Sequence, residues 1–325
     1  MTNYRYSPLL CSVLTVAILI GGCGGGSSSS TAATQIAVSP ASLSTPASTT
    51  VPITEAGAPV ATGNTATDGL NWFNFRRQQL GEPVLARTPA IDVAALGHSQ
   101  YQQANDTITH VQVVGKPGFT GVALTDRLSA ANYRFVNGSY AYGEVISSTI
   151  DQSGFNAAEE LITAIYHRFA IFEPEFRQAG VGSAVSASGR TYLTVDMTVD
   201  GLSPTFGKGG FVVYPMSGQQ GLPSVFSSDA ESPDPVPNQN LVGYPISIHA
   251  DITSVVQVQT FTVRPRNGAV MQVVLLARAS DPLTPASAAA IIPLSVLTAA
   301  TVYDVQFSGT VDGVAVSRSW SFTTR

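Results

Sequence analysis

The hydrophobic period of the chain changes once, and that change limits the folds open to it. Through the first half, apolar side chains recur at helical spacing. From Thr191 they alternate, with Leu193, Val195, Met197 and Val199 set against Thr194, Asp196 and Thr198, the period-two pattern of a half-buried strand. Helices first and strands afterwards predict an α+β arrangement, not the alternation of a doubly wound fold. Asp68 is placed to cap a first helix through "GLNWFNFRRQQLG", closed by Gly81. Thr88-Pro89 opens a second helix, "AIDVAALGHSQYQQAN", whose stripe collects Ile91, Ala94, Ala95, His98 and Tyr101. A third helix fits Asp126 to Ala131. A fourth starts at Asn156, with Glu159 as a capping-box partner and Ala158, Leu161, Ile162 and Ile165 turned inward. After a Pro-rich break over 227–240, short alternating runs separated by Asn267-Gly268, Asp281-Pro282 and Asp312-Gly313 predict an all-β unit. The divisions expected are a mixed domain over 68–201, a connecting segment over 202–240 and a β-sandwich over 241–325.

The N-terminal 67 residues stand apart from this pattern. Arg5, the apolar run Leu9 to Ile20 and the small pair Gly21-Gly22 read as a signal peptide over residues 1–22, too short for a stable membrane span. Ile20-Gly21-Gly22-Cys23 resembles the lipobox of bacterial lipoproteins. That resemblance implies acylation of Cys23, a membrane partner through that lipid, and a place in the cell envelope at the outer membrane or cell surface. An ordinary signal peptide with an incidental cysteine is the competing reading. Residues 23–67 are rich in Gly, Ser, Thr and Ala and poor in charge, a composition that cannot offset the entropy of ordering, so a disordered tether is expected. Of the two cysteines, Cys11 falls in the signal peptide and Cys23 at the anchor, which leaves no disulfide for the folded part. A net charge of −5 with no basic run excludes a nucleic-acid footprint.

Four histidines are the chain's candidates for site chemistry. His167-Arg168, in "ITAIYHRFAIFEPEFRQAGVG", sits at the end of a helical run, where such a pair caps terminal carbonyls unless tertiary structure gives it other work. His98 lies on an apolar stripe beside Tyr101 and reads as a packing histidine with satisfied nitrogens. His249, in "YPISIHADI", reads as an ordinary strand residue.

Taken together, the motifs of the first domain resemble the CAP superfamily: cysteine-rich secretory proteins, antigen 5 and pathogenesis-related proteins, in the bacterial single-domain form. "HRFAIFEPEFRQAGVG" is similar to the family's HR-x-x-I-x-x-P-x-F-x-x-x-GVG segment. "GHSQYQQANDTITH", "TDRLSAANY" and Gly143-Glu144-Val145-Ile146 follow the family order, and "TYLTVDMTV" stands where its last strand lies. The resemblance implies an α-β-α sandwich that brings His110, Glu144 and His167 into one open cavity. Two neutral imidazoles there would suit Zn2+ or another divalent cation, with the glutamate as ligand, orienter or general base. Val145 departs from the family asparagine and removes that amide's hydrogen bonds.

The C-terminal "LTAATVYDVQFSGTVDGVAVSRSWSFTTR" resembles bacterial Ig-like domains. Nucleophile-elbow, His-Glu-x-x-His and phosphate-loop motifs are absent from the sequence. The expected function is therefore a cell-envelope lipoprotein whose CAP domain binds a lipid, a sterol-like molecule or a cell-wall polymer at a His/Glu-lined cavity. Two alternatives stand beside it: a metal-dependent hydrolase using His110, His167 and Glu144, and a surface adhesion protein acting through the Ig-like domain.

Overall fold

The computed structural model describes residues 55–325; the expected signal peptide, Cys23 and the expected tether up to residue 54 lie outside the described residues. The first half runs α1 (Thr65–Leu80), β1 (Ala86–Arg87), α2 (Pro89–Asn105), α3 (Leu124–Ala130), β2 (Tyr140–Thr149), α4 (Gly154–Thr163), α5 (Ile165–Ile171), β3 (Gln178–Val185) and β4 (Thr191–Asp200). Its strands form one sheet in the order β1-β3-β4-β2, parallel between β1 and β3 and antiparallel elsewhere. The second half is β5 (Val212–Tyr214), β6 (Phe226–Ser227), β7 (Leu241–Val242), β8 (Ile246–His249), β9 (Val256–Pro265), β10 (Val273–Ala277), β11 (Ala288–Pro293), β12 (Val302–Val311) and β13 (Val314–Thr323). It holds a four-stranded sheet β10-β11-β8-β5, a three-stranded sheet β13-β12-β9 and the small pair β6-β7.

Local signals set several element ends where the sequence places them. Gly81 takes the left-handed conformation (φ 78°) that closes α1, Thr88 caps α2 with Pro89 as its first residue, and Asp312-Gly313 turns β12 into β13 with φ 53° and 75°. Two helix starts differ. Asn64, not Asp68, caps α1, accepting from Thr67 N at 2.9 Å. Asp68 instead accepts from Thr62 N, Thr62 Oγ1 and Gly63 N. Residues 55–64 are thus tied to α1, although their composition reads as tether. Ser153 caps α4, and Glu159 points into the molecule to accept from Trp72 Nε1 at 2.6 Å.

Strand β4 is buried on both faces, not one. Leu193, Val195, Met197 and Val199 join the main core with α1 and α4. Thr194, Asp196 and Thr198 turn to the other side, where Ser99 and Gln102 of α2 bond Thr194 at 2.9 and 3.2 Å. The alternation holds, but its polar side faces a helix, not water. That helix lies very close: a Cβ on Gly180 would stand 2.0 Å from the Ile91 carbonyl carbon, and one on Gly182 2.2 Å from Leu96 Cα. The Gly-Val-Gly run lets α2 rest directly on β3.

The two halves share a core. β11 is apolar throughout and buried on both faces: Ala289 and Ile291 face the second sheet, whereas Ala288, Ala290 and Ile292 pack on Ile165, Tyr166 and Phe169 of α5. Arg168 is fully buried at this junction, donating to Pro245 O at 2.7 Å and lying over the Tyr214 and Tyr244 rings. Strand β5 also belongs to the four-stranded sheet, so the β unit begins in the stretch read as a connecting segment.

Candidate functional site

Beneath α2 and α3, the sheet carries a cluster of polar side chains. Strand alternation turns Val145 into the main core, where it is 1% exposed, and Glu144 to the opposite face. Glu144 Oε1 bonds His110 Nδ1 at 2.8 Å, and Arg127, buried on α3, donates to Oε2. Arg127 also donates to His110 O at 3.0 Å, so one guanidinium holds both the carboxylate and the backbone that carries the histidine. Burial alone would push the Glu144 carboxyl up, but Arg127 and the His110 bond overcome this and hold it well below the usual carboxylate range.

Asp196 faces Glu144 directly across β2 and β4 and is fully buried. No N–H or hydroxyl donor reaches its oxygens; the neighbouring group is an acceptor already ionised by Arg127. Burial first, and the Glu144 charge second, push the Asp196 carboxyl well above its ordinary range. A proton on Asp196 would let one of its oxygens donate to Glu144, while the other keeps no donor. Asp196 is the site residue that sequence reasoning missed. The available signal was an acid in the polar register of a strand, directly after a run of threonine and apolar residues.

His98 is fully buried and uses both ring nitrogens, with Nε2 2.6 Å from Thr109 O and Nδ1 2.9 Å from Gln112 Nε2. Burial lowers it to about 4. A neutral buried histidine must gain a proton on unfolding, so its share of stability is present above the unfolded pKa of about 6.5 and is lost as pH falls toward 4. Between pH 7 and pH 4.5, wild type is expected to lose about 2–3 kcal/mol more than His98→Gln. Urea unfolding of the two proteins at both pH values checks this, and parallel losses would refute it.

His167 lies elsewhere. It sits in the first turn of α5, on the sheet face of Gly143, whose added Cβ would meet Phe176 at 3.3 Å and Ala170 of α5 at 3.8 Å. Its Nδ1 bonds Glu231 Oε1 at 3.1 Å, and the same carboxylate accepts from the backbone N–H of Ile165, Tyr166 and His167. Glu231, from the segment read as a connector, thus caps α5 as an acidic group at a helix start should. Arg168 takes the carbonyl-capping role at the end of α4, donating to Ile162 O and Thr163 O. The structure therefore brings His110 and Glu144 together, while His167 is bonded to Glu231 across the sheet.

This donor set does not fit a zinc centre built on His110, His167 and Glu144. Both Glu144 oxygens and His110 Nδ1 are engaged within the protein, and His167 faces Glu231. Among the described residues, no group of three His, Cys, Asp or Glu side chains is placed to hold a metal ion. His249, in β8, bonds Ser247 Oγ at 2.9 Å and packs edge-on against Phe169 and Phe172. Burial, with Arg168 and Arg77 nearby, holds it well below its usual range.

The sheet flanked by α2 and α3 on one face and α1, α4 and α5 on the other defines the class. Residues 70–197 match the model of the cysteine-rich secretory protein family, CAP, and this part of the chain is a CAP domain. The β-rich half beyond residue 200 lies outside that match. Among solved structures, an extracellular protein containing an SCP domain from Bacillus anthracis is similar at 21% identity and a TM-score of 0.35, over 43% of this chain and 44% of that one. An outer surface protein of Borrelia burgdorferi is similar at 15% identity and a TM-score of 0.35, over 44% of this chain and 97% of that one. This chain thus spans less than half the length of the first of these. No curated protein matches the chain.

Proposed function

We propose that this is a cell-envelope binding protein, held by an acylated Cys23, whose CAP domain engages an anionic lipid through the loop that carries His110. One observation supports this above the others: the loop between α2 and α3 turns aliphatic side chains outward, with Ile108 61%, Val113 57% and Val114 72% exposed. Val111, Phe119 and Val122 add to the same loop. The loop is held rigidly. Gln112 is buried and bonds Thr120 at 2.7 Å, and Tyr101 OH accepts from Val113 N at 3.0 Å. Its apolar display therefore costs no further ordering on binding. Lys116 is the one formally charged residue from 107 to 125, and an aliphatic surface with a single cation suits a lipid with an anionic headgroup. His110, whose side chain is 24% exposed and oriented through Nδ1 by Glu144, offers Nε2 to the ligand's polar end.

The test is co-sedimentation of the full chain carrying Cys23→Ser, so that no acyl chain binds, with vesicles of phosphatidylethanolamine and phosphatidylglycerol. Val113→Asp/Val114→Asp is expected to weaken binding by about tenfold or more, since two aliphatic side chains lose their burial. Val136→Asp, outside that loop and 82% exposed in the parent, should leave binding unchanged. Equal effects of the two substitutions would overturn the reading. Sedimentation with purified peptidoglycan instead would assign the surface to an envelope polymer. One equivalent of zinc, lost in His110→Ala/His167→Ala, would replace it with the metal-dependent hydrolase.

A further inference from the structure

A concave surface lies at the junction of the two halves, and His110 is not among the residues that line it. It is a cleft of about 780 Å³ between α1, Glu159 of α4, the 216–223 loop and the C-terminal Arg325. Its floor is Arg76, whose side chain is only 5% exposed. The guanidinium lies 4.7 Å over the Trp72 ring and 5.3 Å from the Phe75 ring, and its Nε donates to Glu159 at 3.3 Å. Those contacts immobilise it with its outer edge toward the cleft. That edge is taken by Glu55: Arg76 Nη1 reaches both carboxylate oxygens, at 2.7 and 2.8 Å, and Gln79 Nε2 adds a bond at 2.9 Å.

The two partners of this ion pair differ in how they are held. Arg76 is fixed by the helix, two rings and a second carboxylate. Glu55 is 34% exposed, on the solvent side of the pair. Its carbonyl accepts from Ala58 N at 3.0 Å. A buried guanidinium facing a more exposed carboxylate is the arrangement of a carboxylate site filled by the chain's own side chain.

We propose that this cleft binds the free carboxylate of a peptide C-terminus, with Glu55 as the in-chain occupant that the ligand displaces. The remaining walls suit a peptide. Gln219 and Gln220 lie along the cleft with the backbone of Gly218 and Gly221, whose φ values of 79° and 73° keep side chains out of the space. Met216, partly exposed at the cleft, supplies apolar contact for a small side chain. Removing Glu55 from Arg76 frees one cation without disturbing the buried Glu159 pair, so the exchange is neutral in charge.

The chain reports on this site directly, because Trp72 Nε1 donates to Glu159 beside Arg76, whereas the second tryptophan, Trp320, lies on β13 behind the 216–223 loop, next to Ser321, whose carbonyl accepts from Gly218 N. The full chain with Cys23→Ser would be titrated with N-acetyl-alanyl-alanine and with its C-terminal amide, following the two indole N–H resonances. The acid is expected to shift Trp72, beside Arg76, more than Trp320, and the amide to shift neither. Glu55→Gln should tighten the acid by about tenfold, because an internal competitor is removed. Arg76→Gln should abolish binding. Should that variant unfold, the acid-to-amide comparison and Glu55→Gln still decide the matter. Equal binding of acid and amide, or an affinity unchanged by Glu55→Gln, would overturn the proposal.

Discussion

Arg127→Ala is expected to destabilise the protein by about 3–5 kcal/mol at pH 7, because it removes one partner of a buried ion pair and leaves the other. Glu144 is 5% exposed and sits opposite Asp196, so without Arg127 its charge meets burial and a second carboxyl with only His110 in support. The pH dependence follows from the signs. In the native cluster the Glu144 pKa is depressed, so its contribution is present above the unfolded value of about 4.3 and lost as pH falls through the folded one. In Arg127→Ala, burial dominates and raises the same carboxyl above its unfolded value, and the penalty applies above about pH 4.3. The gap between variant and wild type should therefore shrink toward pH 4. Adding Glu144→Gln to the variant should restore part of the loss, since a neutral amide tolerates the site. Urea unfolding of the two single variants and the double variant measures this. A loss below about 1 kcal/mol, the size of a surface pair, would show that the cluster is solvated.

Gly180→Ala is expected to cost about 4 kcal/mol or more, an unusually large effect for one methyl group. The new Cβ would stand 2.0 Å from Ile91 C and 2.2 Å from Asp92 N. These are helix backbone atoms, so no rotamer change relieves the clash and α2 must lift from β3. Lifting α2 disturbs Ser99, Gln102 and His98, which bond the sheet and the His110 loop from its inner face. Weaker lipid binding should accompany the lower stability. Gly189→Ala makes a useful contrast: it stands in open space at φ 82° and carries only the backbone strain of that conformation, about 1 kcal/mol. Thermal unfolding of both variants separates packing from strain, and similar losses would contradict the close approach of α2.

The close joining of the two halves also bears on the adhesion alternative. Deleting 241–325 would strip β11 from Ile165 and Phe169 and leave Arg168 without Pro245 and Ser247. That truncation would unfold the CAP domain instead of isolating its function.

What the sequence determined by itself was local. Period, caps and turn residues decide backbone conformation within a few residues, so α1 ends at Gly81, α2 starts at Pro89, and β12 turns at Asp312-Gly313. The ordered motifs from His98 to Met197 likewise sufficed for the CAP resemblance, and the family model covers 70–197. Tertiary structure decided which polar groups meet. Whether Asp196 faces water or Glu144 depends on α2 covering the strand, which alternation cannot reveal. Whether His167 turns to Glu144 or to Glu231 depends on a carboxylate 64 residues later in the chain and on the face of the sheet that α5 covers. Hydrogen bonds and ion pairs act over about 3 Å, whereas sequence patterns report only neighbours along the chain. The site's chemistry is therefore set by contacts that no local pattern encodes.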